Sequence, residues 1–157
     1  AEAPAAPAAQ PAEVPAASGK AVPIDAIACE ELRTAVASKL GTEVNSAEAL
    51  FNDGADVSGT SCQLVAKGNG TQFKAVGDVA LDLRTLLEER GWTADMRYAA
   101  DGPTGSRTGF RKDNSVALVS SGWTPTPDVQ CEGPIAGCNI AKEQQLVTVT
   151  LEVADIE

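Results

Sequence analysis

Four cysteines in a chain of 157 residues that contains no histidine constrain the fold more than any other feature. Cys29, Cys62, Cys131 and Cys138 form an even set, at spacings that suit neither a zinc knuckle nor a redox motif. The pattern points to two disulfides and an oxidising compartment. Pairing two and two leaves no unpaired low-pKa thiol for nucleophilic chemistry. Any fold for this chain must therefore bring its cysteines together in pairs.

Residues 1–22, AEAPAAPAAQPAEVPAASGKAV, are mostly Ala and Pro. That composition cannot bury a core and extends as a semi-rigid, polyproline-like spacer. The stretch resembles, in composition, the spacer that bacterial lipoproteins carry between a lipidated cysteine and a folded domain, which implies a membrane attachment through an N-terminal anchor absent from this chain. The other reading of the same residues is the plain terminus of a freely secreted protein. No basic n-region or apolar h-region opens the chain, and no apolar run is long enough to span a bilayer. The expected location is extracytoplasmic: periplasm, cell surface or secreted.

Residues 23–157 are enough for one domain with a real core. Hydrophobic residues make up 43% of the chain and aromatics 4%, so that core is aliphatic. Asp25 or Pro23 opens a first helix whose stripe is Ile24, Ile27, Ala28, Leu32, Val36 and Leu40, stopped at Gly41. Cys29 lies on its Leu32/Val36 side. Residues 61–66 alternate, placing Cys62, Leu64 and Ala66 on one strand face, so a helix-to-strand disulfide from Cys29 to Cys62 follows, with Cys131 left to pair locally with Cys138. The second helix carries Phe73, Val76, Ala80, Leu83 and Leu87, with Thr71 or Asp78 at its start. It ends in Arg90-Gly91-Trp92, the signature of a left-handed glycine cap that folds Trp92 back on Leu87. Strands are expected over 93–100, 107–111, 115–121 and 145–153, the last with Val147, Val149, Leu151 and Val153 inward.

This order gives an α+β two-layer sandwich, two helices on one face of an antiparallel sheet of about four to six strands. The turn residues also run in parallel, Leu40-Gly41-Thr42 through Lys67-Gly68-Asn69 beside Arg90-Gly91-Trp92 through Lys112-Asp113-Asn114. Two helix-strand-strand units produced by duplication would account for that.

Composition excludes more chemistry than it supplies. Without histidine there is no Ser-His-Asp or Cys-His catalysis and no histidine metal site. A net charge of −10 disfavours nucleic acid, whose phosphates need clustered cations. No cofactor and no metal are expected. Three carboxylate pairs, Glu88/Glu89, Asp78/Asp82 and Asp53/Asp56, leave room for a histidine-independent hydrolase, although Asn52, Asp53 and Asp56 read more simply as a polar turn.

Two segments are candidates for binding. The first, residues 101–112, combines three glycines with Ser106, Arg107, Arg111 and Lys112, a set suited to cradling a carboxylate, sulfate or phosphate; the plainer reading is a hairpin whose cations solubilise an edge strand. The second is the long loop after Trp123, stapled by Cys131 and Cys138, in which Trp123, Pro125, Pro127 and Pro134 are available to a protein partner. The functional expectation is a non-catalytic extracytoplasmic binding or accessory domain with a protein partner, held out by its spacer. A small secreted inhibitor of an enzyme is the alternative.

Overall fold

The computed structural model describes residues 18–73 and 75–157. Residues 1–17 of the expected spacer lie outside them. Strand β1 spans Gly19–Pro23, helix α1 Ala26–Leu40, β2 Asn45–Asn52, β3 Val57–Asn69 and helix α2 Val76–Glu89. Short strands β4 (Thr93–Ala94) and β5 (Ala100–Gly102) bracket a 3-10 turn at Met96–Tyr98, and β6 (Gly105–Lys112), β7 (Ser115–Pro125) and β8 (Gln145–Ile156) complete the sheet. The class is α+β, with two α-helices among the described residues. The sheet is larger than four to six strands, however: it has eight, in the order β2-β3-β1-β8-β7-β6-β4, with β5 attached to β6.

The sheet is also mixed, because β1 runs parallel to β3. β3 and β8 pair directly from Cys62↔Val153 to Asn69↔Leu146, then part, and β1 fills the fork, parallel to Val57–Gly59 on one side and antiparallel to Ala154–Ile156 on the other. The strand therefore takes in residues 19–22, which composition assigns to the spacer. Such short, glycine-containing strands carry no readable alternation, and β1 is fixed by its neighbours. Gly59 makes the insertion feasible: its φ is +148°, and a Cβ there would overlap the Ala21 carbonyl oxygen.

Local chemistry sets the helix ends. The Asp25 carboxylate accepts from the Ile27 and Ala28 N–H groups at 3.0 and 3.3 Å, and Gly41 closes α1 in the left-handed conformation at φ 70°. Leu32 and Val36 are buried, but Ile27 is 71% exposed because it stands half a turn round the helix from Val36. α2 starts at Ala75 with no side-chain cap, so neither Thr71 nor Asp78 caps it; Asp78 sits in the first turn, where its charge favours the helix dipole. At the other end Gly91 N–H donates to Glu88 O and Trp92 N–H to Leu87 O, with Gly91 at φ 92°. That pair of bonds is the Schellman arrangement, and Trp92 packs on the core as the cap requires.

Both helices lie on one face. Leu32 and Val36 of α1 and Val79, Leu83, Leu86 and Leu87 of α2 share a core with Cys62, Leu64 and Ala66 of β3, Phe110 of β6, Ala117 and Val119 of β7, and the four inward residues of β8. The opposite face carries a smaller cluster, Ala21, Phe51, Val57, Val116, Leu118 and Ala154, partly covered by Tyr98. β7 is thus buried on both sides from Val116 to Val119.

This geometry bears directly on the duplication. α1-β2-β3 and α2-β6-β7 flank β8, with β3 and β7 both antiparallel to it and β2 and β6 on the outside. With both helices on the same face, the two units are mirror images in connectivity. No rotation superposes them, whereas a duplicated unit keeps its hand. The matching turn residues reflect only what helix ends and hairpins need.

Candidate functional site

Both disulfides join the expected partners, Cys29 to Cys62 with Cα atoms 6.2 Å apart and Cys131 to Cys138 at 6.0 Å. The first ties α1 to β3 through the main core. The second closes the loop between β7 and β8 around the 3-10 turn Ile135–Gly137. Two disulfides fit an oxidising, extracellular environment. Among the described residues, no helix is long and apolar enough to cross a membrane.

The cations of residues 101–112 do not form one cradle. β6 carries them through its pleat, so Ser106 and Lys112 share the helix side with Phe110 while Arg107 and Arg111 stand on the other. Each then meets a different carbonyl. Lys112 Nζ donates to Arg90 O at 2.8 Å, covering the end of α2; Arg111 Nε donates to Ser115 O at 3.2 Å; Arg107 Nη2 donates to Asp53 O at 3.2 Å. Four residues along a strand separate Arg107 from Arg111 by about 13 Å. An anion site built from the whole set is therefore not assembled.

What the open face holds instead is a network centred on Asp53. Its Oδ1 accepts from Ala55 N and Val57 N at 2.8 and 3.1 Å, closing the β2–β3 turn, and its Oδ2 accepts from the Tyr98 hydroxyl at 3.0 Å. Asn52 Oδ1 takes the Gly54 N–H at 2.7 Å. These oxygens serve the backbone. Tyr98 lies over Gly109 of β6, where a Cβ would overlap its ring, and burial together with the Asp53 carboxylate pushes its hydroxyl up to about 12. Asp95, buried, pairs with Arg97 at 2.6 Å, and that bond holds its carboxyl below the usual range. Tyr98 and Asp53 are 45 positions apart, so no local pattern announces the pair.

Beside this network the face opens into a shallow groove of about 410 Å3, lined by Ser120, Thr148 and Thr150 over the facing glycines Gly105 and Gly122. At its border Glu152 is held above its ordinary carboxylate range by burial, against the opposing pull of the Gln63 amide at 3.5 Å and the charge of Arg107. Arg107 Nε is buried without a hydrogen bond. The carboxylate pairs of the sequence do not converge here. Glu88 is bound by Arg84 on the surface of α2, Asp78 and Asp82 lie along the same helix, and Asp56 is in the β2–β3 turn. Among the described residues no three acids or cysteines gather as a metal site would need.

The long loop is closed by backbone and side-chain hydrogen bonds on its own rim. Thr126 N–H donates to Gln144 O at 2.9 Å, and Asp128 takes the Thr126 hydroxyl, the bond that chiefly lowers its carboxyl pKa. Trp123 is half-buried, packing against the main core while also lining the groove, with Pro125 half-buried at the end of β7 opposite Gln145. Pro127 and Pro134 are exposed. The four residues proposed for a partner thus divide between half-buried and exposed positions.

No protein-family model, curated protein or solved structure matches this chain.

Proposed function

We propose that this chain is a non-catalytic, extracytoplasmic protein-binding domain that works as an accessory part of a larger assembly, held out from it or from a membrane by its Pro/Ala-rich N-terminal residues. The observation that carries the reading is how the polar side chains are spent. Among the described residues Asp53, Asp95, Arg111 and Lys112 each satisfy a backbone or neighbouring group, and the carboxylate pairs read from the sequence do not converge on a cleft. Catalysis asks for the reverse, polar groups converging on a point that substrate can reach. A rigid, doubly stapled frame with exposed strand and loop edges suits recognition of another protein.

Affinity purification of the tagged chain from native membranes tests this. A defined protein complex that survives mild detergent and depends on the folded, disulfide-intact chain is the expected result. Recovery with a soluble hydrolase whose activity it suppresses would make it an inhibitor. Turnover of a polysaccharide by the purified chain, lost on neutralising Glu152, would overturn the non-catalytic reading.

A further inference from the structure

The two edges of the sheet are built differently. One ends in β4, two residues long, with three-residue β5 alongside; the other is β2, eight residues long and, among the described residues, hydrogen-bonded on one side only. Natural edge strands are kept short, charged, bulged or broken by proline, because a bare edge templates pairing with another chain. β2 has a single charged residue, Glu48, no proline, and an unbroken register with β3.

That register fixes which backbone groups are spare. Asp53 N–H donates to Val57 O at 3.0 Å, so Asp53, Phe51, Ala49, Ala47 and Asn45 aim their backbone groups at β3. Ser46, Glu48 and Leu50 aim theirs outward. The side chains of the same three stand on the helix side, since Ser46 lies opposite Leu64 and Glu48 opposite Cys62. There a groove of about 250 Å3 runs between β2 and the first two turns of α1. Its floor is Ile24 and the Cys29–Cys62 bridge; its rims are Glu30 and Glu48. Arg33 engages Glu30 and donates to Val44 O at 3.2 Å, whereas Glu48 has no basic partner among the described residues. Leu50, two positions along, is 85% exposed.

We propose that β2 and this groove bind an extended segment of another protein by strand addition, the segment placing a lysine or arginine opposite Glu48 and an aliphatic side chain two positions away, opposite Leu50. The inference rests on the protein-binding reading and adds the surface and the partner's chemistry. The outward backbone groups of Ser46, Glu48 and Leu50 supply the rungs, and the pockets beside alternate residues supply selectivity. Charge selects against a second copy: pairing two β2 strands about a two-fold axis brings together acidic edges of chains that each carry −10.

Random ten-residue peptides displayed on phage, selected on the disulfide-intact protein, provide the test. A synthetic copy of the most enriched sequence is then titrated into isotope-labelled protein. Enriched sequences should place a base two positions from an aliphatic residue, and the peptide should slow hydrogen exchange at the Ser46, Glu48 and Leu50 amides by about tenfold or more, leaving Ala47 and Ala49 little changed. Glu48→Lys should weaken binding about tenfold through charge alone. Glu48→Pro, which removes an N–H that β3 does not use, should abolish binding with the β6–β7 amides unmoved. Failure to enrich any sequence, enrichment without a base, or a peptide that leaves those amides unprotected overturns the assignment. So does a dimer that Glu48→Pro dissolves, since the occupant is then a second copy. A native partner that still binds Glu48→Pro overturns this surface and leaves the protein-binding reading standing.

Discussion

The flanks on either side of β8 contain the same parts, a helix followed by a hairpin, yet they are held together by different physics. α2-β6-β7 relies on burial: Val79, Leu83, Leu86 and Leu87 face Phe110, and β7 is covered on both faces. α1-β2-β3 buries only Leu32 and Val36 from its helix, leaves Leu50 in solvent, and carries the Cys29–Cys62 bridge and the inserted β1. Where apolar contact is thin, a covalent link supplies the constraint. The flank with less burial is also the one with the bare edge, so the disulfide allows a surface to stay unpaired without loosening the sheet behind it.

The sharpest way to break this comparison is to remove the bridge. Replacing Cys29 and Cys62 by alanine should lower stability by up to about 3.8 kcal/mol in the chain-entropy account, against about 2.5 for the Cys131/Cys138 pair. Native-state hydrogen exchange should show α1 amides opening well before α2 amides in the first variant and no such split in the second. Equal loss of protection in both helices would mean the flanks are one cooperative unit.

A smaller change probes the opposite flank. Gly91→Ala should cost about 1 kcal/mol, measured by denaturant unfolding, because alanine must adopt the left-handed conformation that closes the Schellman cap. The added methyl meets only the Lys112 side chain, at 3.5 Å, so the cost is conformational. The same substitution at Gly59, where the strand insertion leaves no room, should be far more damaging and should free β1.

The smallest effect belongs to the network that links the flanks across the open face. Tyr98 is the chain's single tyrosine, so its ultraviolet titration reports one group. Its midpoint should lie near 12 in the folded protein, against about 10 when unfolded. A raised folded value means that the contribution is complete below pH about 10 and is lost as pH rises through about 12. Asp53→Asn should bring the folded midpoint down. An unchanged midpoint would show that the Asp53 carboxylate does not contribute to it.

Much of this fold can be read from local pattern. Asp25 and Gly41 bound α1, Gly91-Trp92 caps α2, the alternation of Val147 to Val153 marks β8, and both disulfides follow from counting cysteines against element positions. What local pattern cannot supply is whatever depends on distant neighbours. β1 has no alternation of its own and exists because β3 and β8 diverge; Tyr98 meets Asp53 only through the third dimension. The candidate anion-binding residues are divided for a similar reason. Arg107, Arg111 and Lys112 are close in sequence, but the pleat of one strand divides them between two faces. Nor does any local pattern mark the edge at β2, where Leu50 is apolar yet 85% exposed.

The wedged strand has a mechanical meaning. A pull applied to Gly19 along the strand axis would act on β1, which lies inside the sheet between β3 and β8 and not at an edge. Such a pull would load the rungs on both sides together, in shear, instead of peeling them one after another. Detachment under force follows the unfolding rate and not the equilibrium stability. A domain of modest thermodynamic stability attached this way can hold a steady load for far longer than one suspended from its outermost strand.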